Sequence, residues 1–221
     1  MRICDRIFFY PGSESDILSS NTYLINDKVL AVVDPGSISR LDTLLKHFRE
    51  DRVNVEDLEL IINTHSHFDH CGANFHLQRA SRAKIAMHEL EEKFLANSRS
   101  IALRFGDMMP TFKVDRRLRD GEKLVTGDLI FEVVHTPGHT PGGICLYEPS
   151  LKLLFSGDTI FPYGNIGRTD LPGGDPAQLA KSIRRLTGLD VRILAPGHMN
   201  IVTEAVNEQI EASLRNAELL L

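Results

Sequence analysis

Thr64-His65-Ser66-His67-Phe68-Asp69-His70 places three imidazoles and a carboxylate within six consecutive positions. Neutral imidazole and carboxylate are the ligands that borderline metals such as zinc prefer, and histidine is the commonest of them. The stretch before it, Leu58-Glu59-Leu60-Ile61-Ile62-Asn63, reads as a short buried strand. The cluster therefore sits at the carboxyl end of a strand, where layered α/β folds build their sites. A solvated polar loop with coincidental histidines is the alternative, and that position argues against it.

The 221 residues are 42% hydrophobic and 25% charged, ordinary for a globular protein with a sizeable core. A net charge of −5 gives no global support for nucleic-acid binding. The short basic runs, Arg116-Arg117 with Arg119 and Arg184-Arg185, read as solvated faces. Met1 to Arg6 lacks the apolar run of a signal peptide, and no stretch reaches membrane length. Cys4, Cys71 and Cys145 are odd in number and widely spaced, which suits a reducing cytoplasm. Cys71 reads as a small buried hydrophobe. The expectation is a cytoplasmic monomer or homodimer acting on a small molecule, with no membrane or nucleic-acid partner.

No linker or low-complexity tract divides the chain, so residues 1–221 read as one domain. Residues 2–10, 20–26 and 28–34 alternate or run apolar and predict an antiparallel start to a sheet. Ser39-Arg40-Leu41-Asp42 resembles a capping box, with Leu41, Leu44, Leu45 and Phe48 at helical spacing behind it. A strand over 59–63, a helix after Gly72 and a strand over 84–87 follow. Residues 89–113 are helical by composition, interrupted by Gly106 and Pro110. Residues 129–135, 143–148 and 152–156 predict strands. Asp175-Pro176-Ala177-Gln178 is a strong helix start, with aspartate at the cap and proline first in the helix. A last strand over 191–195 precedes an amphipathic helix marked by Val206, Ile210, Leu214 and Leu221. The order predicts two packed sheets with helices outside.

Four further segments share one signature, a polar ligand type in a Gly/Pro loop directly after an apolar strand. They are Asp34-Pro35-Gly36, Thr136-Pro137-Gly138-His139, Ser156-Gly157-Asp158 and Pro196-Gly197-His198. Glycine there lets the backbone turn sharply and frees a side chain to enter a cleft. Each is weak alone; in this order, after H-x-H-x-D-H, they are strong.

Order and spacing resemble the metallo-β-lactamase superfamily over essentially the whole chain. The resemblance implies a four-layer αββα sandwich with the site at one edge of the sheets. It implies that His65, His67 and His139 hold one metal, that Asp69, His70 and His198 hold a second, and that Asp158 bridges them. The implied cofactor is two zinc ions per chain, with iron or manganese as alternatives. Asn21-Thr22-Tyr23-Leu24-Ile25, the Thr136–Gly143 loop and Gly167-Arg168-Thr169-Asp170 look most like the glyoxalase II group and its short relatives.

Two metals about 3.5–4 Å apart hold a hydroxide at neutral pH and clamp an acyl substrate, so no separate protein base is needed. Asp69 would orient that nucleophile as its catalytic residue. Asp34 and Asp170 are expected either to hold ligand imidazoles in the right tautomer or to cap their own loops. The expected activity is glyoxalase II-like hydrolysis of a thioester or related acyl compound. A lactonase, or a persulfide dioxygenase using one iron at His65, His139 and Asp158, is the alternative. His47, His76, His88 and His135 are expected to be structural. Segment 98–112, with Phe105, Met108, Met109 and Phe112, reads equally as a lid or as core.

Overall fold

Hydrophobic side chains on alternating positions, buried on both faces, force a layered arrangement. In β2 (Ile7–Tyr10), Ile7 and Phe9 point to one apolar cluster, while Phe8 and Tyr10 point to another. The computed structural model describes residues 1–13 and 18–221. Its first sheet runs in sequence order: β1 (Arg2–Cys4), β2, β3 (Thr22–Asn26), β4 (Leu30–Val33), β5 (Leu60–Ile62), β6 (Lys84–His88) and β7 (Arg116–Leu118). Pairing is antiparallel up to β4 and parallel from β4 onward.

The second sheet holds β8 (Lys123–Val125), β9 (Ile130–His135), β10 (Ile144–Glu148), β11 (Leu153–Gly157) and β12 (Ile193–Pro196), in the order β12-β11-β10-β9-β8. Because β10 is antiparallel to both neighbours and β12 parallel to β11, strands β9, β11 and β12 all end at one edge.

Between the sheets lie Ile7, Phe9, Tyr23, Val33 and Ile62 from one side and Phe131, Val133, Leu146 and Phe155 from the other. Phe155 stacks within 4.8 Å of Tyr23 and 5.8 Å of Phe131. Helices α1 (Leu41–Glu50), α3 (Asn74–Ser81) and α4 (Glu89–Arg104) cover the outer face of the first sheet through Phe48, Leu77 and Phe94. Helices α5 (Pro176–Leu186) and α6 (Val206–Glu218) cover the second through Leu179, Ile183 and Ile210. The four layers are those expected. Each fully buried side chain of this size contributes about 1.5–3 kcal/mol.

Several local expectations change. Residues 2–10 form a hairpin of two strands rather than one. The capping box at Ser39 does not form: residues Ile38–Arg40 make a 3-10 turn, and the Ser39 hydroxyl meets that of Ser37 at 2.8 Å. Helix α4 stops at Arg104, just ahead of Gly106. Leu221 is exposed beyond α6. Arg116 and Arg117 are exposed as expected, yet they lie in edge strand β7, where pairing with β6 and burial of Leu118 outweigh their polarity. The cap at Asp175 holds: its carboxylate accepts from the Gln178 backbone N–H at 3.0 Å, and the Gln178 amide reaches back at 2.7 Å.

Candidate metal centre

Each polar loop follows a strand that ends at the same edge, so the strand directions bring the loops together. Asp34 follows β4 and His65–His70 follows β5. From the second sheet, His139, Asp158 and His198 follow β9, β11 and β12. One short helical turn, α2 (Phe68–Cys71), carries Asp69 and His70.

Ligand atoms of His65, His67 and His139 lie within 4.8 Å of one another, as do those of Asp69, His70 and His198 and those of His65, His70 and Asp158. His67 Nδ1 is 3.0 Å from His139 Nε2, and His70 Nε2 is 3.3 Å from His198 Nε2. Asp158 spans the two groups, with Oδ2 at 3.6 Å from His139 Nε2 and 3.5 Å from His198 Nε2, and Oδ1 at 3.3 Å from His70 Nε2. Asp69 Oδ2 faces His198 Nε2 at 3.2 Å. All seven residues expected as ligands converge.

The buried nitrogens His65 Nε2 and His67 Nε2 and the buried oxygen Asp158 Oδ1 have no hydrogen-bond partner. Buried polar atoms are normally satisfied, and nitrogens and carboxylate oxygens clustered this closely are the donor set of a divalent metal. The site fits such ions.

Electrostatics divide the histidines. Burial holds His65 well below the ordinary imidazole range, helped by neighbouring His70, and burial with His139 nearby lowers His67 to about 3. Burial also draws His70 and His198 down, but the charge of Asp158 and Asp69 outweighs it, and both rings end above their ordinary value. For Asp158, burial acts upward, yet His198 and His70 hold the carboxyl well below the usual range.

Orientation comes from a ring of hydrogen bonds. Asp34, in a left-handed conformation at φ 49°, accepts from the Thr64 N–H at 2.8 Å and hydroxyl at 2.6 Å, and its Oδ2 lies 3.0 Å from His70 Nδ1. The two roles expected for it therefore coexist. Asp170 does not touch a ligand ring. Its exposed carboxylate forks with the Arg168 guanidinium at 2.7 Å, and His139 Nδ1 faces the Arg168 backbone carbonyl at 2.7 Å instead.

The Asn21-Thr22-Tyr23 stretch clamps the His198 loop across the sheets. Asn21 Nδ2 donates to the carbonyls of Pro196 and Met199 at 2.9 and 2.7 Å, and Tyr23 Oη donates to that of Pro196 at 2.7 Å. Gly197 is required by close approach: a Cβ there would lie 2.2 Å from Asp158 Oδ1.

The centre opens into a cleft of about 290 Å³ walled by Ile101, Phe105, Phe161, Ile166, Leu171 and Met199. Segment 98–112 contributes both to the cleft and to the core. Phe105 lines the cleft, whereas Met109 and Phe112 join the core under the first sheet. Phe161, Ile166, Leu171 and Met199 were not expected, because isolated apolar residues in loops carry no sequence signal. Cys71 is buried, as expected, with its Sγ donating to the Ser66 carbonyl at 3.2 Å. His135 and His88 stack at 4.1 Å away from the ligands.

A family model described as the metallo-beta-lactamase superfamily matches residues 16–198, and the chain belongs to that superfamily. It is 34% identical over 197 residues to a probable metallo-hydrolase of Methanocaldococcus jannaschii, across 83% of this chain and 89% of the relative. It is 37% identical over 183 residues to the hydroxyacylglutathione hydrolase GloC of Haemophilus influenzae, across 80% and 84%. Among solved structures, the BLEG-1 B3 metallo-beta-lactamase superposes with a TM-score of 0.78 at 29% identity, covering 97% of this chain and 99% of that one. TTHA1623 in a di-iron-bound form superposes with a TM-score of 0.76 at 31% identity, covering 94% and 96%. Among the described residues, no helix is long and apolar enough to cross a membrane.

Proposed function

We propose that this protein is a two-metal hydrolase of acyl thioesters or related acyl compounds, with zinc as its ion. The observation that carries the reading is the pair of donor sets joined through Asp158. A single-metal oxygenase would leave Asp69, His70 and His198 without a task. The relative named as a hydroxyacylglutathione hydrolase supports the thioester class.

His65, His67 and His139 would hold one ion, Asp69, His70 and His198 the other, and Asp158 both. When bound, such ions supply Lewis acidity and a water of lowered pKa. The chain's own residues do the rest. Asp69, on the cleft wall, accepts a hydrogen bond from the attacking water and orients it toward the substrate carbonyl. Asp34 and the Arg168 carbonyl fix two ligand rings with Nε2 forward. Phe105, Phe161 and Leu171 keep bulk water from the acyl group.

Metal analysis of protein purified without added metal, with assays of acyl-glutathione hydrolysis and of oxygen uptake with glutathione persulfide, tests this. Two zinc ions per chain and hydrolysis are expected. His65→Ala should lower hydrolysis by about a hundredfold or more, the size of effect seen when one transition-state contact is lost. One iron per chain with oxygen uptake and no hydrolysis would replace this reading with the dioxygenase.

A further inference from the structure

Glu91 is fully buried in the first turn of α4, yet its carboxylate serves other segments. Oε2 accepts from the Ser66 N–H at 2.8 Å and from the Ser66 hydroxyl at 2.5 Å. Oε1 accepts from the Gly142 N–H at 2.7 Å. Ser66 stands between His65 and His67, and Gly142 is three residues beyond His139. One carboxylate thus joins the loop leaving β5 in the first sheet to the loop leaving β9 in the second.

The surroundings are built for this contact. An acidic residue at this helix position ordinarily reaches back to the cap. Here the cap is His88, whose Nδ1 accepts from the Leu90 N–H at 3.3 Å, and the Glu91 carboxylate points to the two loops instead. A Cβ on Gly142 would lie 2.6 Å from the Glu91 nitrogen, so only glycine brings that N–H within reach. Ser98, two turns along α4, holds the Ser66 hydroxyl at 2.7 Å from its other side.

We propose that Glu91 is a positioning residue that sets the spacing of the His65, His67 and His139 imidazoles for metal binding. This rests on the metal-centre reading above. A bridge that merely stabilised the fold would affect the metal-free and metal-bound protein alike, and this distinguishes the two roles.

Glu91→Gln keeps the volume but puts an NH2 where an acceptor is needed, so one of the two loops loses its tie. Zinc affinity is measured by equilibrium dialysis, and melting temperature is measured with and without zinc. The variant is expected to bind zinc about tenfold more weakly or worse, the effect usual for groups that orient metal ligands. The deficit should be one ion per chain, and the rise in melting temperature on adding zinc should shrink. Wild-type affinity with an undiminished zinc-induced rise overturns the proposal, even if the metal-free protein melts lower. If Glu91→Gln fails to fold, Ser66→Ala decides. It removes the hydroxyl's contacts to Glu91 and Ser98 but keeps the Ser66 N–H bond to Glu91, so it should weaken zinc binding less but in the same direction, and wild-type affinity there overturns the proposal equally. A wild-type protein that binds no zinc or other divalent metal removes the metal-centre reading itself, and this proposal with it.

Discussion

Asp34 and Asp170 show how two carboxylates in similar loops acquire different work. Asp34 is buried against Thr64 and the His70 ring, whereas Asp170 lies in solvent with Arg168. Asp34→Asn should lower metal affinity by about 10–100-fold, because the amide cannot fix the His70 tautomer as a carboxylate does. Asp170→Asn should leave affinity unchanged and shift stability by about 1 kcal/mol or less, as befits an exposed ion pair. Metal titrations of the two variants check the contrast; equal losses in both would reject the assignment of roles.

The split among the histidines also predicts an order of metal loss on acidification. Metals bind the neutral ring, and a raised pKa means that protons compete at a higher pH. His70 and His198 are raised, while His65 is lowered and His67 sits at about 3. As pH falls, the set of Asp69, His70 and His198 should release its ion first, and an ion held through His65 and His67 should follow at lower pH. Metal content after dialysis through descending pH reads this directly; release of both ions in one step would count against it.

At the scale of elements, the loops after strands carry the chemistry because β9, β11 and β12 run in one direction and end beside β4 and β5. The loop after β12 is tightly constrained. Gly197 packs against Asp158 and His70, with hypothetical Cβ distances of 2.2 and 2.7 Å. Gly197→Ala should therefore displace the Asp158 carboxylate and weaken metal binding by the Asp69, His70 and His198 group, while circular dichroism remains that of a folded protein. Retention of two ions per chain would show that the loop can yield.

At the scale of the whole molecule, the centre adds a tie between two sheets that also meet through apolar packing, hydrogen bonds and the ion pairs of Arg6 and Lys28 with Asp128. Metal that binds only the folded state stabilises it by mass action, by about 2.7 kcal/mol at a hundredfold excess over Kd. Chelation should lower the melting temperature reversibly, and returning zinc should restore it. A melting curve unchanged after confirmed metal removal would contradict the ligand set. Phe155→Ala, between the sheets and remote in kind from the ligands, should cost about 3–5 kcal/mol in both metal-free and metal-bound protein.

The sequence by itself determined the layers and the order of the loops that carry the candidate ligands. Alternation in 7–10 and 22–26 and the apolar runs before each Gly/Pro loop are local patterns, and the seven candidate ligands follow strand ends that such patterns reveal. It did not disclose β7 and β8, which are three residues each and whose strand state comes from neighbours paired with them. Nor did it disclose the direction of a side chain. Asp170 turned to Arg168, the Arg168 carbonyl took its expected partner, and Glu91, three residues past an ordinary helix cap, was aimed at two loops from different sheets. Those outcomes depend on which groups lie within about 3 Å after folding. Only the tertiary structure decides that, because segments far apart in the chain supply the partners.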